Sequence, residues 1–147
     1  MKIVLALLAT TLLGTIPGWA VLGQYENSIT LDQQHLRAQA REIARQGYSI
    51  QELKSPDGQL VREYVSPAGL VFGVAWQGPT MPDLRQLLGS YFGNVQKANQ
   101  SRRPGRGPLI VQTKDFVFES GGHMRSFRGC AYVPSLFPKN IPAEVIR

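Results

Sequence analysis

Side chains able to do nucleophilic, acid–base or metal chemistry are sparse in this 147-residue chain. Its sole cysteine is Cys130 and its histidines are His35 and His123. A thiol beside an imidazole is a real catalytic device, because the ring can take the thiol proton. His123 and Cys130 stand an odd number of positions apart, however, and on one unbroken strand they point to opposite faces. Only a bulge, at Gly129 for example, would let them meet. Structural zinc generally needs four N or S ligands and catalytic zinc three, and neither Cys-x-x-Cys nor His-x-x-x-His occurs. Alternating Asp and Asn of the calcium-loop type are also missing, so no metal and no cofactor is expected. There is no G-x-S-x-G elbow, phosphate-cradling loop or dinucleotide fingerprint. Gly89 and Gly93 fall within a helical pattern rather than opening one. The residue pattern assigns no catalytic residue.

Carboxylates and arginines remain. Asp57 is explained by a turn, Asp83 by a helix start, and Glu52 by an expected cross-strand partner, Arg62. Glu63 has no such explanation. It is expected opposite Gly73 on a mostly apolar strand face, where a missing side chain leaves room for a ligand. The ordinary reading is a rim glutamate beside a strand glycine, and Glu63 marks where a pocket would lie if the sheet has one. Arg37, Arg41 and Arg45 recur at i, i+4, i+8, which on a helix would form a basic rail partly neutralised by Asp32 and Glu42. Arg102, Arg103 and Arg106 lie in the loop sequence SRRPGRG. These six arginines are the candidate contacts for an anionic partner. Nucleic acid is disfavoured, because no aromatic residues alternate with the loop arginines to stack bases.

The elements that would position these groups are readable from turn and periodicity signals. Ser55-Pro56-Asp57-Gly58 and Ser66-Pro67-Ala68-Gly69 suit hairpins closed by a proline-primed turn and a glycine bulge. The first turn sets Leu53 opposite Val61, Glu52 opposite Arg62 and Ile50 opposite Tyr64. The second sets Tyr64 opposite Phe72 and Val65 opposite Val71. One face then carries Tyr48, Ile50, Leu60, Tyr64, Leu70, Phe72, Val74 and Trp76, and is expected to be the core. The other carries Leu53, Val61, Val65, Val71 and Ala75, apolar enough to need some cover as well. Thr80 is the expected cap of a helix in which Leu84, Leu87, Leu88, Tyr91 and Val95 form one apolar stripe. An earlier helix is predicted to start at Thr30 or Asp32 and stop at Gly47. Leu109–Glu119 and Met124–Val133 form a second β region, with Ser120-Gly121-Gly122-His123 as its turn. That register pairs Phe116 with Phe127, Asp115 with Arg128 and Phe118 with Arg125. Pro134, Pro138 and Pro142 make the tail a surface wrap. The resulting fold class is α+β: an antiparallel sheet of about five to six strands, a meander plus a later hairpin, packed with two helices.

Residues 1–20 carry the marks of a secretory signal: Lys2, the apolar run Ile3–Gly14, and small residues Gly18 and Ala20 before Val21. Retention as an uncleaved anchor is the alternative; after cleavage no membrane span remains. Residues 21–29 are expected to be a flexible leader and 30–147 one α+β domain. An exported chain with one cysteine cannot staple itself, so packing must hold it and Cys130 is expected in the interior. The net charge of +6 favours anionic partners.

The stretches REYVSPAGLVFGVAWQGPTMPDLRQLLGSYF and ESGGHMRSFRGCAYVPSLFP resemble a bacterial family of small exported proteins, domain of unknown function 2844. That resemblance spans nearly the whole chain beyond the signal. It implies export to the periplasm or beyond, and it assigns no activity and no site residue. The expected function is a non-enzymatic binding or interaction module meeting an envelope protein or an anionic surface. The alternatives are a small hydrolase or thiol enzyme using His123 with Cys130 or Glu63, and an envelope assembly factor that pairs through a strand edge.

Overall fold

The computed structural model describes residues 22–103, 105 and 107–147; the signal segment, its cleavage site and Arg106 lie outside the described residues. Three helices and seven strands follow the chain as α1 (Ile29–Leu36), β1 (Gln39–Arg45), β2 (Tyr48–Lys54), β3 (Leu60–Val65), β4 (Val71–Gly78), α2 (Leu84–Leu88), α3 (Phe92–Ser101), β5 (Leu109–Gln112), β6 (Val117–His123) and β7 (Ser126–Tyr132). The strands make a single seven-stranded antiparallel sheet in the order β1-β2-β3-β4-β7-β6-β5, two edges of which are thus β1 and β5. The α+β class holds, with seven strands where five to six were expected.

The additional strand is β1. The segment Gln39–Arg45 is rich in helix-favouring residues, yet it pairs with β2, with Arg41 opposite Glu52 and Ile43 opposite Ile50. Helix α1 has already ended: Arg37 turns left-handed at φ 49°, and the Arg37 and Ala38 amides donate to the carbonyls of Gln34 and Gln33. Gly47, at φ 85°, serves the β1–β2 turn rather than a helix stop. Propensity is a weak prior, and here pairing with a long neighbouring strand overrides it.

The first meander turn lies as its proline and glycine dictate, with Glu52 opposite Arg62 and Ile50 opposite Tyr64. The second gives Val65 opposite Val71, but the register then slips, so that Tyr64 faces Gly73 and Glu63 faces Val74. This β-bulge sets both Phe72 and Gly73 against Tyr64 and inverts the rest of β4 relative to expectation. Val74 and Trp76 join Leu53, Val61 and Val65 in the larger core beneath the helices, with Leu87, Leu88 and Val95 above them. Ala75 joins Ile50, Tyr64 and Phe72 in a smaller core on the opposite face. The principal core is thus the face expected to be secondary.

The segment after Gly78 becomes helical where Asp83, rather than Thr80, caps α2, its carboxylate accepting from the Arg85 and Gln86 amides. Gly89 interrupts the run with a short 3₁₀ turn before α3, but the apolar stripe continues through Tyr91 to Val95. The late hairpin turns at Met124-Arg125, so that His123 meets Ser126, Gly122 meets Phe127, Glu119 meets Cys130 and Phe118 meets Ala131. The Gly-Gly pair is therefore strand rather than turn. A Cβ at Gly122 would collide with the Ser126 carbonyl, which explains the glycine. Phe116 and Asp115 precede β6 and pair with neither Phe127 nor Arg128; Phe116 instead stacks on Tyr91, ring centroids 5.0 Å apart.

The tail covers the second face. Phe137 packs on Phe72 at 4.8 Å, and Ile146 fills the space beside Gly73. Within the stretch expected as a flexible leader, Leu22 is buried, and Gly23, Gln24 and Glu26 exchange main-chain hydrogen bonds with Gly69 and Val71. No helix among the described residues is long and apolar enough to cross a membrane.

Candidate functional site

Glu63 does not wall an open pocket. It is fully buried, on the helix side of β3, while Gly73 faces the tail on the other side of the sheet. The space that Gly73 leaves is occupied by Ile146. Glu63 meets instead the buried carboxyl of Asp32 from α1, and Gln86 of α2 donates a hydrogen bond to Asp32 Oδ1. Burial pushes the Glu63 pKa well above the ordinary carboxylate value, and the negative charge of Asp32 adds to the rise. Burial and the adjacent negative charge both favour the neutral form of Glu63, at the point where α1, β3 and α2 meet. The void beside it has a volume of only about 10 Å³, too small for substrate.

The dyad fares no better. His123 and Cys130 share one face of the β6–β7 hairpin, because His123 pairs with Ser126 and Glu119 with Cys130. They stand four strand positions apart, about 13 Å at the rise of a strand. Burial, and secondarily Glu119, raises the Cys130 thiol pKa, which disfavours the thiolate that a nucleophile needs. Cys130 is partly buried against the smaller core.

The arginine rail dissolves with its helix. Arg37 sits in the left-handed turn after α1, whereas Arg41 and Arg45 extend from one face of the exposed edge strand β1. Arg41 is thereby carried beside Glu52, whose carboxylate is held by Arg62 Nε at 2.9 Å. Of the basic loop, Arg103 is exposed, and Arg102 turns inward and donates through Nη2 to the Gly107 carbonyl.

Arg102 thereby reaches a groove that the residue pattern did not disclose. Its floor is the helix-side face of the late hairpin, Phe118, Ser120 and Phe127, and one wall is α3. Phe92, Val95, Gln96 and Asn99 line that wall at i, i+3, i+4 and i+7, so one helix face runs from apolar to polar toward Arg102. Met81 and Leu84 close the opposite side, and the Ser120 hydroxyl lies 3.9 Å from the Met81 sulfur. The volume is about 390 Å³, within the range of small-molecule sites. Beside the floor, the missing side chain of Gly129 makes room for the Trp76 indole, with which a Cβ there would collide and which packs against Phe118 at 5.7 Å. The signal available in the sequence was the i, i+3, i+4, i+7 set on α3; the opposing wall required the hairpin register.

Fold and site together define a small α+β protein with a two-faced antiparallel sheet and a concave amphiphilic groove, lacking an assembled catalytic constellation among the described residues. Residues 18–146 match the model of a family described as protein of unknown function (DUF2844), and the chain belongs to that family. No curated protein and no solved structure matches it.

Proposed function

We propose that this protein is an exported, non-catalytic binding module that holds a small amphiphile, apolar body and anionic head, in the helix-side groove. The observation that carries this reading is the gradient along α3: Phe92 and Val95 at one end, Gln96, Asn99 and Arg102 at the other, facing a floor of Phe118 and Phe127. An apolar body is desolvated against the aromatic floor, while a guanidinium supplies a charge-assisted contact to the head. Export rests on the Lys2, Ile3–Gly14 and Gly18–Ala20 pattern. The thiol-enzyme reading lacks a reachable base for Cys130, and the hydrolase reading lacks access to Glu63. The assembly reading is opposed by the edge strands, since β1 carries Arg41, Glu42 and Arg45 and β5 is short.

Anilinonaphthalene sulfonate, which has the required shape and charge, tests the groove. The native protein should bind it saturably with enhanced fluorescence. Asn99→Trp, which fills the groove from an exposed helix position, should abolish the signal. Arg102→Glu should weaken it by about tenfold, roughly 1.4 kcal/mol. Equal binding by all three proteins removes the groove reading. Expressed with its own leader in a bacterial host, the protein should be recovered outside the cytoplasm with Val21 at its N-terminus; a cytoplasmic, unprocessed chain would remove the export reading.

A further inference from the structure

The opposite face of the same hairpin borders a second cleft, and its chemistry differs. Cross-strand register places Lys54, Leu60, Gln77 and Arg128 in one row on the tail side of the sheet, beyond the part that the tail covers. Arg125, from the turn at the hairpin tip, joins them around a depression of about 530 Å³. Lys54 and Arg128 are three strand spacings apart, about 14 Å between Cα atoms. Between them the floor offers Leu60 and Pro79.

No carboxylate lines this cleft. The nearest in sequence, Asp57, is turned away: Ser55 donates to it, it accepts from the Gln59 amide, and it lines a different depression beside Arg37. Glu52 is engaged by Arg62, and Glu119 stands beside Cys130 farther along the hairpin. Among the described residues Lys54, Arg125 and Arg128 make no salt bridge. Arg125 also holds a left-handed backbone, φ 64°, which glycine would adopt with less strain. Three exposed cations from separate elements, gathered without a counter-charge around an elongated apolar floor, raise the local potential for an anion of matching length.

We propose that this cleft binds a linear acidic polysaccharide, its sulfate or carboxylate groups meeting Lys54, Arg125 and Arg128 and its sugar rings lying on Leu60 and Pro79. Spacing decides for a chain over a single ion, because no one oxyanion reaches cations on both sides of the floor. The one aromatic residue at its border, Phe127, directs its ring to the helix side, so a run of stacked bases has no platform.

The test uses a fluorescently labelled heparin hexasaccharide and the leaderless full chain, followed by anisotropy at low and at physiological salt. Binding should weaken with salt as exposed charges are screened. Lys54→Glu and Arg128→Glu should each weaken it by about tenfold. Arg125→Gly removes one charge while relaxing the backbone, so affinity should fall by about threefold with no loss of thermal stability. Arg102→Ala with Arg103→Ala should stay within about twofold, because those side chains lie on the helix side and in the loop. The proposal is overturned if the hexasaccharide does not bind at low salt, if the loop variant weakens binding as much as the cleft variants, or if single-stranded DNA of equal charge displaces it equally well. The groove-filling Asn99→Trp should leave this binding intact, so failure here is separable from failure of the amphiphile groove.

Discussion

At the scale of single residues, the buried carboxyl of Glu63 is the feature with the sharpest consequence. Its position as the one unexplained carboxylate was legible, because its neighbours Val61 and Val65 are apolar and its strand partner carries no cation. Its actual partner was not, since Asp32 reaches it from α1, thirty-one positions earlier, through a packing contact that no local spacing encodes. The pair sets a pH dependence. A carboxyl whose pKa is higher in the folded than in the unfolded chain binds its proton more tightly when folded. Its stabilising contribution is therefore complete below the unfolded pKa and is lost as pH rises through the folded value, opposite to the usual salt-bridged carboxylate. Melting temperature followed from about pH 4 to about pH 9 should decline across the alkaline part of that range. Glu63→Gln keeps a donor toward Asp32 without a titrating proton, so its decline should be smaller and its alkaline stability greater. A Gln variant with the same pH profile as the parent would show that the pair is not the titrating element.

At the scale of elements, turn chemistry carried the first hairpin to the residue, and failures arose where a strand's face depends on one inserted position. The bulge at Tyr64/Val65 reversed every later side chain of β4, moving Trp76 into the larger core. Proline and glycine at the second turn fixed the loop, but the slip arises beyond it, where Phe72 and Gly73 share the space against Tyr64. In β1 the alternation of Arg41, Ile43 and Arg45 with Ala40, Glu42 and Ala44 was present, but a helical reading of the same residues fitted equally well. The hairpin turn failed because Gly122 is needed for close approach to the partner strand, not for the corner. Gly129 is the most exacting of these positions. Its backbone is ordinary, yet a Cβ would enter the Trp76 ring and approach the Glu119 carbonyl. Gly129→Ala should cost about 1–3 kcal/mol through overpacking, with a shifted Trp76 emission. The contrasting variant is Gly69→Ala, where φ is 77° but nothing stands within 4 Å. Strain alone should cost it about 1 kcal/mol, with the Trp76 environment unchanged.

At the scale of the whole molecule, the sheet is sandwiched between unlike covers. Helices close one face, and the tail from Pro134 to Arg147, with only brief 3₁₀ turns of its own, closes the other. Without regular secondary structure a tail is ordered only by what it buries and what it bonds. Here Ile146 is almost fully buried against Gly73, the Tyr64 hydroxyl donates to the Arg147 main-chain oxygen at 2.8 Å, and it accepts from the Arg147 amide at 3.1 Å. The tail was legible as a proline-rich wrap, but its anchor was not, because Ile146 meets Gly73 in the central strand β4, far away in sequence. This closure sets the limit of the cationic cleft as well, since the tail reaches Tyr64 and Phe72 and leaves the Lys54–Arg128 row open. Ile146→Ala should therefore lower stability by about 2–5 kcal/mol, as loss of a buried aliphatic group facing a glycine leaves a void that backbone cannot fill. Tyr64→Phe should cost about 1 kcal/mol by removing a bifunctional hydroxyl while preserving the ring contacts with Tyr48 and Phe72. Chemical denaturation checks both, and hydrogen exchange separates local from global loss. In Ile146→Ala, protection should fall first in β4 near Phe72 and Gly73, with the helix-side amides of α3 following only on global unfolding. Uniform loss across both faces would mean that the two covers are one cooperative unit and that the tail is no separate closure.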